Sequence, residues 1–112
     1  MKRRRTPRTF RDSRGVSWRW RDCTPEREPR LIPPDGEPHY GLCDYDAREV
    51  LVNVEQGAET LAATRFHELI HVALHGSSTM PPEEEERVIA VLDMHLLPLL
   101  EHYGLDLGWR PR

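Results

Sequence analysis

No stretch of this 112-residue chain approaches the run of about 18 apolar residues that crosses a bilayer, and its basic start is not followed by the apolar core of a signal peptide. These absences argue against a membrane span and lead us to expect a cytoplasmic protein. Cysteine is scarce. The pair Cys23 and Cys43 has no Cys-x-x-Cys spacing, which argues against a zinc ribbon or a dithiol redox motif. Both are expected as reduced thiols, a disulfide or metal role being the alternative. No internal repeat is present, so a solenoid is excluded.

What is present is one domain's worth of chain. Hydrophobic residues make up 38% and charged residues 31%, with ten prolines, a balance that implies a compact core carrying irregular segments. The length suits a single catalytic module at most. Charge is divided along the chain: residues 1–30 carry eleven Lys/Arg against four Asp/Glu, and residues 31–112 carry five against fifteen. We divide the chain into a basic, disordered arm at residues 1–9 and one domain at residues 10–112. The arm's Lys2, Arg3, Arg4, Arg5 and Arg8, continued by Arg11 and Arg14, can attract nucleic acid or an acidic partner through residues 2–14. It can equally be a solvated tail docking on the acidic half. Trp18 and Trp20 could in principle stack on bases.

Thr9 and Phe10 read as the start of a strand, and residues 16–21 alternate apolar and polar side chains, placing Val16, Trp18 and Trp20 on one face. Residues 24–38, broken by Pro25, Pro29, Pro33, Pro34 and Pro38, read as a loop. Residues 40–45 and 50–54 around a turn at residues 46–49 read as a β-hairpin, with Val50, Val52 and Val54 sharing a face. Residues 58–75 lack Pro and Gly and form a helix that Gly76 would end. A second helix starts at Pro81-Pro82 with its acids at the positive dipole end, carries Val88, Ile89, Val91, Leu92, Leu96 and Leu99, is kinked by Pro98 and ends near Gly104. The pattern is an α+β fold, a small antiparallel or mixed sheet packed on two helices.

The first of those helices contains Phe66-His67-Glu68-Leu69-Ile70-His71. At about 3.6 residues per turn, His67 and His71 stand one above the other, close enough to share a zinc ion, while Glu68 lies about 100° around. Glu68 can then reach water rather than metal, the position of a hydrolase's general base. A shuffled chain of this composition would contain His-Glu-x-x-His about three times in a hundred, so context has to carry the argument. Leu61, Phe66, Leu69, Ile70, Ala73 and Leu74 supply it, recurring at helical spacing beside the histidines. Two histidines with no metal remain the alternative.

A catalytic zinc keeps three protein ligands and one open position. The third is sought among Glu83, Glu84, Glu85 and Glu86, where helical geometry turns only one or two inward. Glu85 shares a stripe with Val88, Ile89, Leu92, Leu96 and Leu99, whereas the stripe of Glu86 runs through Ile89 and Ala90 to the charged Asp93. Periodicity therefore favours Glu85, with Glu86 as runner-up. His75 continues the histidine stripe, but successive turns are about 6 Å apart, which makes convergence of three such histidines on one tetrahedral ion difficult.

Val50-Leu51-Val52-Asn53-Val54 and the run from Thr64 to His75 resemble the strand and active-site helix of the ImmA/IrrE metallopeptidases, small gluzincin-type zinc proteins of bacteria, phages and mobile elements. The resemblance covers roughly residues 40–97. It implies a minimal zincin-like fold, Zn2+ as cofactor, His67 and His71 as ligands, Glu68 as general base and a glutamate of the next helix as third ligand. Glu85-Glu86-Arg87-Val88-Ile89-Ala90 is similar to the family's Glu-Ala-Asn-x-Phe-Ala and points again to Glu85, although Glu86-Arg87 departs from Ala-Asn. The helix-turn-helix or C-terminal domain of some members is absent, so the chain looks like a stripped-down module of a phage or mobile element.

The expected function is therefore zinc-dependent hydrolysis of a peptide or protein substrate, with water acidified by the metal and Glu68 accepting its proton. The Val50–Val54 strand is the expected edge for an extended substrate. His39, Tyr40, His95, His102 and Tyr103 are candidates for stabilising an oxyanion. The competing readings are a zinc-stabilised partner-binding domain whose metal is closed by His75 or a cysteine, and a nucleic-acid binder built on the arm.

Overall fold

The computed structural model describes residues 9–75 and 79–102. Four strands, β1 (Thr9–Arg11), β2 (Ser17–Cys23), β3 (Gly41–Asp44) and β4 (Glu49–Asn53), precede two helices, α1 (Ala58–Leu74) and α2 (Pro82–His102). The architecture is α+β, with a mixed sheet in the order β1-β2-β4-β3. β1 pairs antiparallel with β2, β2 parallel with β4, and β4 antiparallel with β3. The hairpin expected from the sequence is β3–β4, its turn closed by Ala47 N–H donating to Asp44 Oδ1 at 3.0 Å. Arg48 takes a left-handed φ of 55° there, and its carbonyl accepts from Arg19 N–H at 2.9 Å.

Sheet register explains the core. Trp20 stands beside Val50 and Asp22 beside Val52 across the parallel pair, so strand alternation puts Trp18, Trp20, Val50 and Val52 on one face. That face packs with Leu61 and Val72 of α1. Trp18 and Trp20 are 1% and 6% exposed, which removes them as a base-stacking platform. Val16 is only half-buried and precedes β2. Val54 lies past the end of β4 and is exposed.

The opposite face is covered by the proline-rich segment. Expected as a plain loop, this segment contains a 3-10 turn, Pro29–Leu31, whose Leu31 is fully buried. Leu51, on this face by alternation, is also fully buried. Arg30 ties the segment to the sheet, reaching Glu28 at 2.9 Å, Asp44 at 2.7 Å and Glu49 at 2.8 Å. The burial of β4 on both faces, unlike the alternating exposure of an edge strand, follows from having a neighbour on each side and a layer above and below.

α1 crosses β3 and β4, and α2 packs chiefly on α1. α1 ends at Leu74 with His75 as its C-cap, one residue short of the expected end, and Gly76 lies outside the described residues. α2 starts as expected, with Glu84 and Glu85 N–H both donating to Pro81 O at 3.0 Å. The helix extends past Pro98, which has no N–H to donate to the Met94 carbonyl, as far as His102, and Tyr103 and Gly104 lie outside the described residues. Leu99, expected in the apolar stripe, is 54% exposed, because α2 finds α1 under its first half and Ile89 is its one fully buried side chain. The segment 1–8, with most of the basic arm, also lies outside the described residues.

Candidate metal centre between the two helices

His67 and His71 project from α1 towards the start of α2, their rings 4.9 Å apart between centroids. The helix holds them there because its apolar neighbours Leu61, Phe66 and Val72 are buried on the other sides. Each imidazole meets carboxylates at both nitrogens. His71 Nε2 lies 3.0 Å from Glu86 Oε1, and His67 Nε2 lies 3.7 Å from Glu86 Oε2. On the far nitrogens, His71 Nδ1 lies 3.0 Å from Glu85 Oε1 and His67 Nδ1 2.7 Å from Asp93 Oδ2. His67, His71 and Glu86 each offer a ligand atom within 4.8 Å of the others, a set that could hold a metal ion.

The group brought together by geometry takes in Glu86, where periodicity favours Glu85. Glu85 does face inward, with its side chain 18% exposed against 57% for Glu86. That inward position carries it past the shared Nε2 side to the Nδ1 of His71. Glu86, at the rim, is the residue that spans both Nε2 atoms. Its stripe leads to the charged Asp93, which is half-buried at the seam against His67. A carboxylate eight residues after Glu85 was the available signal, and an apolar-stripe criterion discards it.

Glu68 lies on the sheet side of α1 and is 5% exposed. Gly41 of β3 brings its backbone against it, since a Cβ at Gly41 would stand 3.0 Å from Glu68 Cγ. Cys43 donates its thiol to Glu68 O at 3.3 Å. Burial raises the Glu68 carboxyl above the usual glutamate range, opposed by charge on His71 and His67. Its Oε2 is buried with no hydrogen-bond partner, an arrangement that costs free energy unless a water, a proton or a cation meets it. The donor set of two imidazoles and a carboxylate suits a metal ion.

Other candidates sit elsewhere. His75 stacks on Tyr45 at 4.3 Å and meets Trp18 edge-on at 6.0 Å, in an aromatic group at the end of α1. Cys23 shares its thiol with Arg21 O and Val52 O, and both cysteines are free. His95 and His102 are exposed in the second half of α2. Tyr40 is 62% exposed just before β3, its carbonyl held by Gln56 Nε2 at 3.1 Å. No helix among the described residues is long and apolar enough to cross a membrane. Comparison with protein-family models, curated proteins and solved structures found no match to this chain.

Proposed function

We propose that the protein is a metal-dependent peptidase in which His67, His71 and Glu86 hold zinc and Glu68 is the general base. The observation that carries this reading is the convergence of both Nε2 atoms on the Glu86 carboxylate, 3.0 and 3.7 Å away, beside a buried glutamate with an orphaned oxygen. Bound there, zinc would supply Lewis acidity, acidifying water and polarising a peptide carbonyl. Glu68 would then take the proton at its carboxylate and return it to the leaving amine, and burial, which raises that carboxyl, makes it a better base. His75 and both cysteines are engaged in other contacts, which favours a site with an open position over a closed structural one.

The strand that would receive an extended substrate changes from the sequence expectation. β4 is interior to the sheet, paired on both sides. β3 is the edge beside α1, and Gly41 and Cys43 bring its backbone against Glu68, so β3 is the strand with free main-chain groups beside the base.

Elemental analysis and a peptide-library cleavage assay on wild type, His71→Ala, Glu86→Gln and Glu68→Gln test the reading. The expected result is one zinc per chain in wild type and Glu68→Gln, loss of zinc in His71→Ala and Glu86→Gln, and turnover lowered by about 10²–10⁴-fold in Glu68→Gln. A wild type that takes up no stoichiometric metal rules the peptidase out.

A further inference from the structure

The carboxylates on the far side of the two imidazoles carry an inference that rests on the metal reading above. Asp93 Oδ2 is 2.7 Å from His67 Nδ1, and Glu85 Oε1 is 3.0 Å from His71 Nδ1. Both come from α2, the helix that also presents Glu86. A neutral imidazole has one N–H and one lone pair, and an ionised carboxylate can only accept. A carboxylate at Nδ1 therefore keeps the proton there and leaves the Nε2 lone pair for a cation. His67 meets the later residue of α2 and His71 the earlier one, so the two carboxylates bracket the rings from opposite ends. The eight-position step from Glu85 to Asp93 rises about 12 Å along α2, twice the rise from His67 to His71.

We propose that Asp93 and Glu85 are the positioning residues of the metal centre, each fixing one imidazole in the Nδ1–H tautomer so that both Nε2 atoms face the Glu86 carboxylate. α2 thus supplies one ligand and two orienting groups. Glu85, which helical periodicity marks as a ligand, acts through His71. The partly exposed Asp93, 26% accessible at its side chain, is anchored by its contact with His67 at one oxygen, while its Oδ1 is buried without a partner. Carboxylates bonded to ligating histidines fix ring orientation and raise ligand basicity, and their loss lowers metal affinity by about 10–100-fold.

The test combines zinc affinity by chelator competition with long-range ¹H–¹⁵N spectra of the histidine rings, on wild type, Asp93→Asn, Asp93→Glu, Glu85→Gln and Glu86→Gln. We expect the zinc-loaded wild type to show both rings protonated at Nδ1 alone. Asp93→Asn and Glu85→Gln should each weaken zinc by about 10–100-fold, each altering the ¹⁵N pattern of its own histidine, with Asp93→Glu recovering part of the loss. Glu86→Gln should lose far more. Unchanged affinity in Asp93→Asn and Glu85→Gln, with wild type still binding one zinc, overturns the positioning role and leaves the metal site standing. A greater loss in Glu85→Gln than in Glu86→Gln makes Glu85 the ligand and overturns it too. A wild type that binds no zinc removes the metal reading and this one together.

Discussion

Gly41→Ala is the smallest change that tests how α1 is seated on the sheet. The added methyl would stand 2.7 Å from Thr64 Cγ2, 3.0 Å from Glu68 Cγ and 3.3 Å from Glu68 Cδ. Carbon atoms in contact rest about 3.5–4.0 Å apart, so the intrusion approaches about 1 Å. Thr64 has little room to yield: it is 8% exposed and its hydroxyl donates to Gln56 Oε1 at 2.9 Å. Either β3 parts from α1 or Glu68 swings away. Overpacking of this kind costs about 1–3 kcal/mol, offset by about 0.4–1 kcal/mol from stiffening the unfolded chain. A net loss of about 1–2 kcal/mol lowers the Tm of a domain this size by about 5–15 °C. Thr64→Ser deletes Cγ2 and keeps the hydroxyl, so it should restore roughly half the loss, the Glu68 contacts accounting for the rest. Urea and thermal unfolding of the two single variants, the double variant and the wild type give the coupling directly. A Gly41→Ala protein as stable as its parent, or a loss that Thr64→Ser leaves untouched, would refute the close approach of β3 to α1.

Acid should release the proline-rich segment. Arg30 beside Glu28 holds that carboxyl down to about 2, and a backbone bond from Ala47 followed by Arg30 lowers Asp44. Carboxylates depressed on folding stabilise above their unfolded value of about 4.3, and that contribution drains away as pH falls towards the folded one. Discounted for solvent screening at the partly exposed Arg30, the wild type should lose about 1 kcal/mol more than Arg30→Met between pH 7 and pH 3. Equal urea midpoint shifts in the two proteins would remove the cluster's role. Burial raises the thiols of Cys43 and Cys23 above the usual cysteine range. Alkylation at pH 8 should thus be at least ~10-fold slower in the native protein than in urea. Cys43, held on Glu68 O, should be the slower of the two, and fast native labelling of Cys43 contradicts its placement under α1.

The period-2 and period-3.6 patterns made most of the elements legible, because a strand or helix with one buried face writes that face into the sequence. The hairpin, both helices and the burial of Trp18 and Trp20 follow from such patterns. What the patterns could not carry is pairing order. Nothing local in Val50-Leu51-Val52 distinguishes an edge from an interior strand except that Leu51 is apolar too, a hint of burial on both faces. The proline-rich segment was illegible for another reason: its attachment depends on Arg30 meeting residues 14 and 19 positions away, contacts with no periodicity. At the candidate site, the pairing of His67 with His71 was legible from their spacing together with the helical context around them. The choice between Glu85 and Glu86 turns on where α2 crosses α1, and Asp93 escaped because charge on a stripe reads as solvent.

α2 joins the fold chiefly through one neighbour, and the cluster of His67, His71, Glu85, Glu86 and Asp93 lies along that seam. A cation held by two residues of α1 and one of α2 would rivet the outer helix to the inner one. The strength of that joint would then be set by supply as well as by sequence, rising by about 2.7 kcal/mol when free metal is a hundredfold above its dissociation constant. The sheet and α1 keep their own core around Trp18, Trp20, Val50 and Val52. Scarcity of metal would therefore slacken the outermost layer first, while the sheet and α1 kept their shared core.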